Sequence, residues 1–126
     1  MKSERVLLLF IFIMMAFIQF RCGKNANAPD YLIGVWRTSD PKYADRFFEI
    51  ERHTVTFDIG EGKFNTHPII NVEIEKTEKG KGTLHTISYK DEERQKTKFS
   101  FYYDPADQGQ IRFKNQDHIV WTKGKK

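Results

Sequence analysis

From Tyr31 to Lys123 almost every segment of the chain alternates apolar and polar residues with period two, and no stretch sustains the apolar spacing of an amphipathic helix. In a strand, successive side chains point to opposite faces, so this alternation gives a chain with one buried face throughout and an all-β fold. The runs fall at Leu32 to Thr38, Ala44 to Glu51, Thr54 to Ile59, Pro68 to Glu75, Thr83 to Lys90, Thr97 to Asp104, Gln110 to Lys114 and His118 to Lys123. Ser39-Asp40-Pro41, Gly60-Glu61-Gly62, Asp91 to Gln95, Asp104 to Gly109 and Asn115 to Asp117 separate them as turn clusters. Connections this short leave no room for crossovers, so about eight short strands should pair in sequence as an antiparallel meander. Such a meander removes its exposed edges by pairing its first strand with its last, which gives a small up-and-down barrel; an open or flattened sandwich is the alternative.

The alternation also assigns faces. Val55, Phe57 and Ile59 share one face, as do Ile70, Val72 and Ile74, and His85, Ile87 and Tyr89. Phe99, Phe101 and Tyr103, Ile111 and Phe113, and Ile119 and Trp121 complete the inward set. Arg46 and Phe48 fall on the inward phase, and Arg46 is expected to form a buried polar pair with His85. Tyr43, Phe47 and Tyr102 fall on the outward phase.

The first residues are a different physical object. Lys2 and Arg5 precede an apolar run from Val6 to Phe20, the arrangement of a secretory signal. As a helix that run would reach roughly 22 Å at about 1.5 Å per residue, short of a hydrocarbon core of about 30 Å. Cys22 follows at once and is the single cysteine, so no intrachain disulfide is available. Its position resembles the lipidation site of bacterial lipoproteins, in which the cysteine becomes the first mature residue and carries acyl chains. Gln19 and Arg21 stand where those signals carry Leu and a small residue. An uncleaved signal anchor, or cleavage further along near Ala26-Asn27-Ala28, therefore stays open. The expected organisation is a signal helix or anchor over 1–21, a flexible tether over 22–30 and one domain over 31–126.

Charge narrows the partners. The chain carries 21 Lys and Arg against 17 Asp and Glu; three of those basic residues and one acid lie in the leader, leaving 18 against 16. So small and dispersed an excess lacks the concentrated basic face that nucleic-acid binding needs. Lys123, Lys125 and Lys126 read as a solvated basic end.

At Gly34-Val35-Trp36 the chain resembles the G-x-W opening of lipocalin-like domains, more closely the small lipocalin-like domains of bacterial lipoproteins. The resemblance covers Tyr31 to Lys123. It implies a barrel in which Gly34 permits a tight turn into the first strand and Trp36 seals the closed end. A basic residue of the last strand packs on that tryptophan; Lys123 is the counterpart, with Arg112 the substitute. The family binds small apolar ligands in the barrel mouth, where Arg46, Phe48, His85, Tyr89, Phe99, Phe101 and Tyr103 would line the site. Against this stands self-filling, since bulky aromatics consume the volume of a narrow barrel.

The alternative is a non-enzymatic interaction module, displayed from a membrane and contacting an envelope protein through loops and exposed aromatics. No cofactor is expected and no enzyme. His53, His67, His85 and His118 lack metal-ligand spacing, and the domain offers no cysteine nucleophile. Asp91-Glu92-Glu93 and Asp104 to Asp107 read as turns, not calcium loops.

Overall fold

The structure is a computed structural model of the chain and describes residues 26–77 and 82–125. The expectations for the leader over 1–21 and for Cys22 lie outside the described residues. Eight antiparallel strands pair strictly in sequence, and the first also pairs with the last, closing a barrel. They are β1 (Gly34–Thr38), β2 (Phe47–Ile50), β3 (Thr54–Gly60), β4 (Lys63–Lys76), β5 (Thr83–Lys90), β6 (Lys96–Asp104), β7 (Gln110–Phe113) and β8 (Gln116–Gly124). The all-β meander and its closure therefore hold, and the open sandwich does not.

Directly paired residues share a face, so the register builds the interior layer by layer. Trp36 faces Phe48, Phe48 faces Phe57, Ile87 faces Phe99, Phe101 faces Phe113 and Ile111 faces Trp121. Ile50, Val55, Ile69, Val72 and Ile119 complete the buried set. Closure is made by β1 against β8, with Trp36 opposite Lys123 and Thr38 opposite Trp121.

One end is plugged by the segment that leads into β1. Ala28 is buried and donates its N–H to the Arg52 carbonyl at 2.8 Å, and a 3-10 turn over Asp30–Leu32 places Leu32 entirely inside. The tether expected to run to residue 30 thus ends earlier, because Ala28 and Leu32 bury apolar surface the barrel would otherwise expose. The opposite end, the mouth, carries the β1–β2, β3–β4, β5–β6 and β7–β8 connections.

Three local expectations are corrected. The second strand begins at Phe47 and not Ala44, because Tyr43 donates to the Asp40 carbonyl at 3.0 Å and Arg46 to the Tyr43 carbonyl at 2.9 Å, which curls residues 40–46 into turns. The fourth strand begins at Lys63 instead of Pro68 and is 14 residues long, with a register shift between Ile69 and Asn71 that gives Ile69 the inward position assigned to Ile70. A second irregularity between Asp58 and Gly60, where the Asp58 carboxylate accepts from the Gly60 N–H at 2.8 Å, leaves Ile59 46 % exposed. Ile74 keeps the inward phase opposite His85 but is half exposed near the strand end.

Gly82 introduces β5 at φ +81°, and a Cβ there would overlap the Tyr103 carbonyl oxygen on β6. Neither the backbone conformation nor the space suits a side chain. Gly82→Ala should therefore destabilise by about 1–3 kcal/mol. Urea unfolding of the full chain followed by tryptophan fluorescence checks this, and an unchanged midpoint would contradict the packing described.

Candidate functional site

The family resemblance placed three residues together at the closed end, and they do meet. Gly34 sits at φ +149°, a conformation that side-chain-bearing residues rarely adopt, and the Lys123 stem lies across it, where a Cβ would be in ordinary contact at 3.5 Å from Lys123 Cδ. The ammonium group of Lys123 then lies 5.7 Å from the Trp36 ring centre, a cation–π contact. Trp36 is completely buried and its indole N–H donates to the Leu32 carbonyl at 2.9 Å. Sequence position, strand pairing and a hydrogen bond four residues back thus hold one ring over the plugged end. Arg112 faces Tyr102 across β6 and β7 and stays exposed, so it takes no part.

Of the residues expected to line a ligand site, Phe48, His85, Tyr89, Phe99, Phe101 and Tyr103 do share the interior. They touch one another, and the open space they border lies at the edges of the group: Phe99 lines a concavity of 430 Å³ with Phe113 and Asn115, and Tyr89 lines one of 310 Å³ with Asn65 and His67. Phe48 contacts Trp121 at 5.2 Å and Phe113 at 5.3 Å between ring centres, Phe99 contacts Phe57 at 5.4 Å and Phe101 at 5.7 Å, and Tyr89 contacts Phe57 at 5.7 Å. These are edge-to-face and offset distances at which aromatic pairs attract. The rings form a continuous column along the barrel axis.

Arg46 does not join them. It is exposed in the β1–β2 connection, where its guanidinium lies against Gly60, and the expected pair with His85 is absent. The turns at residues 40–46 remove Arg46 from any strand, so its phase carried no information.

The partner of His85 is Tyr31, a residue the alternation did not single out and one 54 positions away. His85 Nδ1 lies 3.1 Å from the Thr83 carbonyl and Nε2 lies 2.7 Å from the Tyr31 hydroxyl. A carbonyl only accepts, so Nδ1 carries the proton and Nε2 accepts from the tyrosine. The ring stacks on Phe101 at 6° and 5.4 Å and is wholly buried. Tyr31 also packs on Tyr103 at 4.7 Å, which ties the plug to β5 and β6. Burial pushes the His85 imidazole below its ordinary value, against a smaller opposing effect of the Thr83 carbonyl.

A second group of rings lies on the outer wall. Phe47, expected outside, contacts Phe64 at 5.5 Å, and the Arg37 guanidinium sits 5.0 Å from the Phe47 ring centre. Phe64 is 54 % exposed. Phe47, Phe64, Glu49, Glu51, Thr56 and Thr66 border a concavity of 240 Å³. Phe64 was missed because β4 was begun at Pro68. Of the other outward candidates, Tyr102 is half-buried, and Tyr43 folds inward onto Trp121 at 5.9 Å, its hydroxyl accepting from Gln116 at 3.0 Å.

These features define a small closed β-barrel with an aromatic interior, one plugged end and an aromatic patch on its wall. No family model, no curated protein and no solved structure matches the chain.

The His85 geometry sets a pH dependence. A histidine whose folded value is depressed leaves the unfolded state holding more protons between that value and about 6.5, so stability rises with pH across that window. On acidification, the contribution is complete above about 6.5 and is lost as the pH falls towards the folded value. Thermal unfolding of the full chain should show this loss, and His85→Gln should flatten it relative to the parent. Equal slopes for the two proteins would show that His85 is not the titrating group.

Proposed function

We propose that this chain is a non-enzymatic, lipocalin-like interaction module of the cell envelope, contacting an envelope protein through its outer wall. The observation that carries the reading is the division of its aromatics. The interior rings pack on one another, while Phe47 and Phe64 meet at a tilt on the outside, with Arg37 over the Phe47 ring. Exposed aromatics with an arginine are the side chains that concentrate binding energy at protein interfaces. A small apolar ligand in the lumen would have to displace rings already in mutual contact, so that reading takes second place.

The tethering follows from the leader and Cys22. The described chain starts at Ala26 beside the plugged end, and four residues span at most about 14 Å. A lipid on Cys22, or a retained anchor, would hold the plugged end towards the membrane and turn the mouth and upper wall away from it. Gly34, Trp36 and Lys123 reinforce the end that bears the tether.

Photo-crosslinking in the native membrane tests this. A benzophenone side chain at position 64 should give one discrete adduct, and the same group at Thr86 on another part of the wall should give none. The membrane-extracted full chain should show no retained small-molecule mass in native mass spectrometry. A lipid-sized mass bound to the barrel, or identical adducts from both positions, would overturn the proposal. The same spectra report the anchor: a mature chain starting at an acylated Cys22 supports lipidation, and a mass that keeps residues 1–21 indicates a retained leader.

A further inference from the structure

The strands beside the mouth are of unequal height. β6 pairs with β5 over Lys96 to Tyr103 but with β7 only over Phe101 to Asp104, and one further bond runs from the Lys114 N–H to the Ser100 carbonyl at 3.1 Å. The chain then turns through Lys114 and Asn115 into β8, where Gln116 faces Phe113. Residues 96–99 therefore have β5 on one side and, among the described residues, no strand on the other. Backbone groups alternate in direction along an antiparallel strand. The Gln95 carbonyl accepts from the Asp91 N–H on the β5 side and the Ser100 carbonyl accepts on the β7 side, so Lys96 and Lys98 aim their N–H and C=O groups into the gap. Four residues of strand give an edge about 13 Å long.

The space beside that edge has two faces of different chemistry. It is a concavity of 430 Å³ lined by Lys98, Phe99, Ser100, Phe113, Lys114 and Asn115. Phe99 and Phe113 lie on the inward phase, 6.3 Å apart between ring centres, and both are half-buried. Lys98 and Lys114 lie on the outward phase, as does Ser100. Lys96 shares that outer face and stands directly opposite Lys90 of β5. All four lysines are exposed, and among the described residues none has an ion pair. Glu92 and Glu93 belong to the β5–β6 turn, where the Asp91 carboxylate is taken up by the backbone N–H groups of Glu93 and Gln95. Like charges opposed across a ladder repel, so this face carries positive charge without an internal counterpart.

An open strand edge is a template for a further strand. Two copies of this chain joined edge to edge would bring Lys96 and Lys98 against the same residues, and that repulsion disfavours the pairing. A segment with carboxylates along one face meets the lysines with opposite charge. We infer that the edge from Lys96 to Phe99 is a docking site for an extended acidic segment of a partner protein, which adds to the sheet in line with β7. In that segment Asp or Glu alternates with apolar residues. The acidic side chains point outward to Lys98 and Lys114, and the apolar ones point inward onto Phe99 and Phe113. Main-chain bonds to Lys96 and Lys98 supply the pairing, and the two-faced pattern supplies the selectivity. The edge lies on β6, away from the Phe47 and Phe64 surface on β2 and β4, and does not depend on it.

Amide-resolved NMR of the full chain in a non-ionic maltoside detergent, at constant ionic strength, tests this with acetylated, amidated Glu-Val-Glu-Val-Glu-Val as the probe. Saturable shifts confined to residues 96–100 and 113–115 are expected, and hydrogen exchange at the Lys96 and Lys98 amides, fast in the free protein, should slow. The same peptide N-methylated at its Glu residues lacks the main-chain donors that face the edge and should not bind. N-methylation at the Val residues, whose N–H groups point away from the edge, should leave binding saturable. The double variant Lys98→Gln/Lys114→Gln, which alters only exposed side chains, should weaken the acidic peptide about five-fold, as loss of two surface charge pairs implies. Lys-Val-Lys-Val-Lys-Val should bind several-fold more weakly than the acidic peptide. Absence of saturable shifts overturns the inference, as do equal binding of the basic peptide, undiminished binding in the glutamine variant, or equal effects of the two methylation patterns. Protection of Lys96 and Lys98 that grows with protein concentration in the absence of peptide would assign the edge to a second copy of the chain and overturn it as well. None of those results bears on the crosslinks expected from position 64.

Discussion

The pairing of β1 with β8 is the constraint on which the remaining structure depends. β1 is only five residues long, yet it must bond β2 on one side and β8 on the other. Without the second ladder both strands would be sheet edges with unpaired N–H and C=O groups, and the interior would open along that seam. Trp36 stands in the middle of this short strand. Its ring is held from below by the Leu32 carbonyl and from the side by Lys123 of β8, while Phe48 of β2 stacks near it at 13°. One side chain thus joins the plug, the first strand and both neighbours. At the C-terminal end, Arg37 Nε donates to the Lys125 carbonyl at 2.6 Å and extends the seam past the last strand residue. Contacts between residues so distant in sequence form against a large loop-closure entropy, which makes closure the demanding step of folding.

Closing eight strands fixes a diameter about wide enough for side chains to meet across the middle. Once Trp36, Phe48, Phe57, Phe99, Phe101, Phe113 and Trp121 occupy that width, the interior works as a core, and chemistry is displaced to where the column stops. At the plugged end the stop is the Tyr31–His85 pair, sealed by Tyr103 and Leu32. At the mouth it is Asn65, His67 and Tyr89, bordered by the turn that carries Asp91, Glu92 and Glu93. On the wall the notable departure is Phe64, which packs with Phe47 on the outside because the inward position beside it goes to Asn65, opposite Phe57.

Much of the barrel was legible because period-two alternation is a direct imprint of a half-buried strand. Thr83 to Lys90 shows it most plainly: His85, Ile87 and Tyr89 alternate with polar residues, and β5 has those very limits. The failures have physical causes. Lys63 to His67 reads as polar because its inner positions, Asn65 and His67, line a mouth and not a core, and Pro68, exposed between buried His67 and Ile69, looks like a boundary. Bulges at Asp58 and Ile69 shift the phase by one residue, which no fixed period anticipates. Arg46 was given a face only because its segment was extended into a turn. Tyr31 and His85 are joined by tertiary structure alone, and no local pattern encodes a bond across 54 residues.

The contrast between the two ends bears on how the molecule is deployed. The plugged end buries its polar atoms in defined bonds: Nε2 and Nδ1 of His85, the Trp36 indole and the Ala28 N–H all have partners. The mouth places three carboxyl groups beside His67 and Tyr89. Satisfied polar networks give rigidity. The plugged end is therefore the end closed by defined polar bonds, and the mouth is the end that concentrates charge.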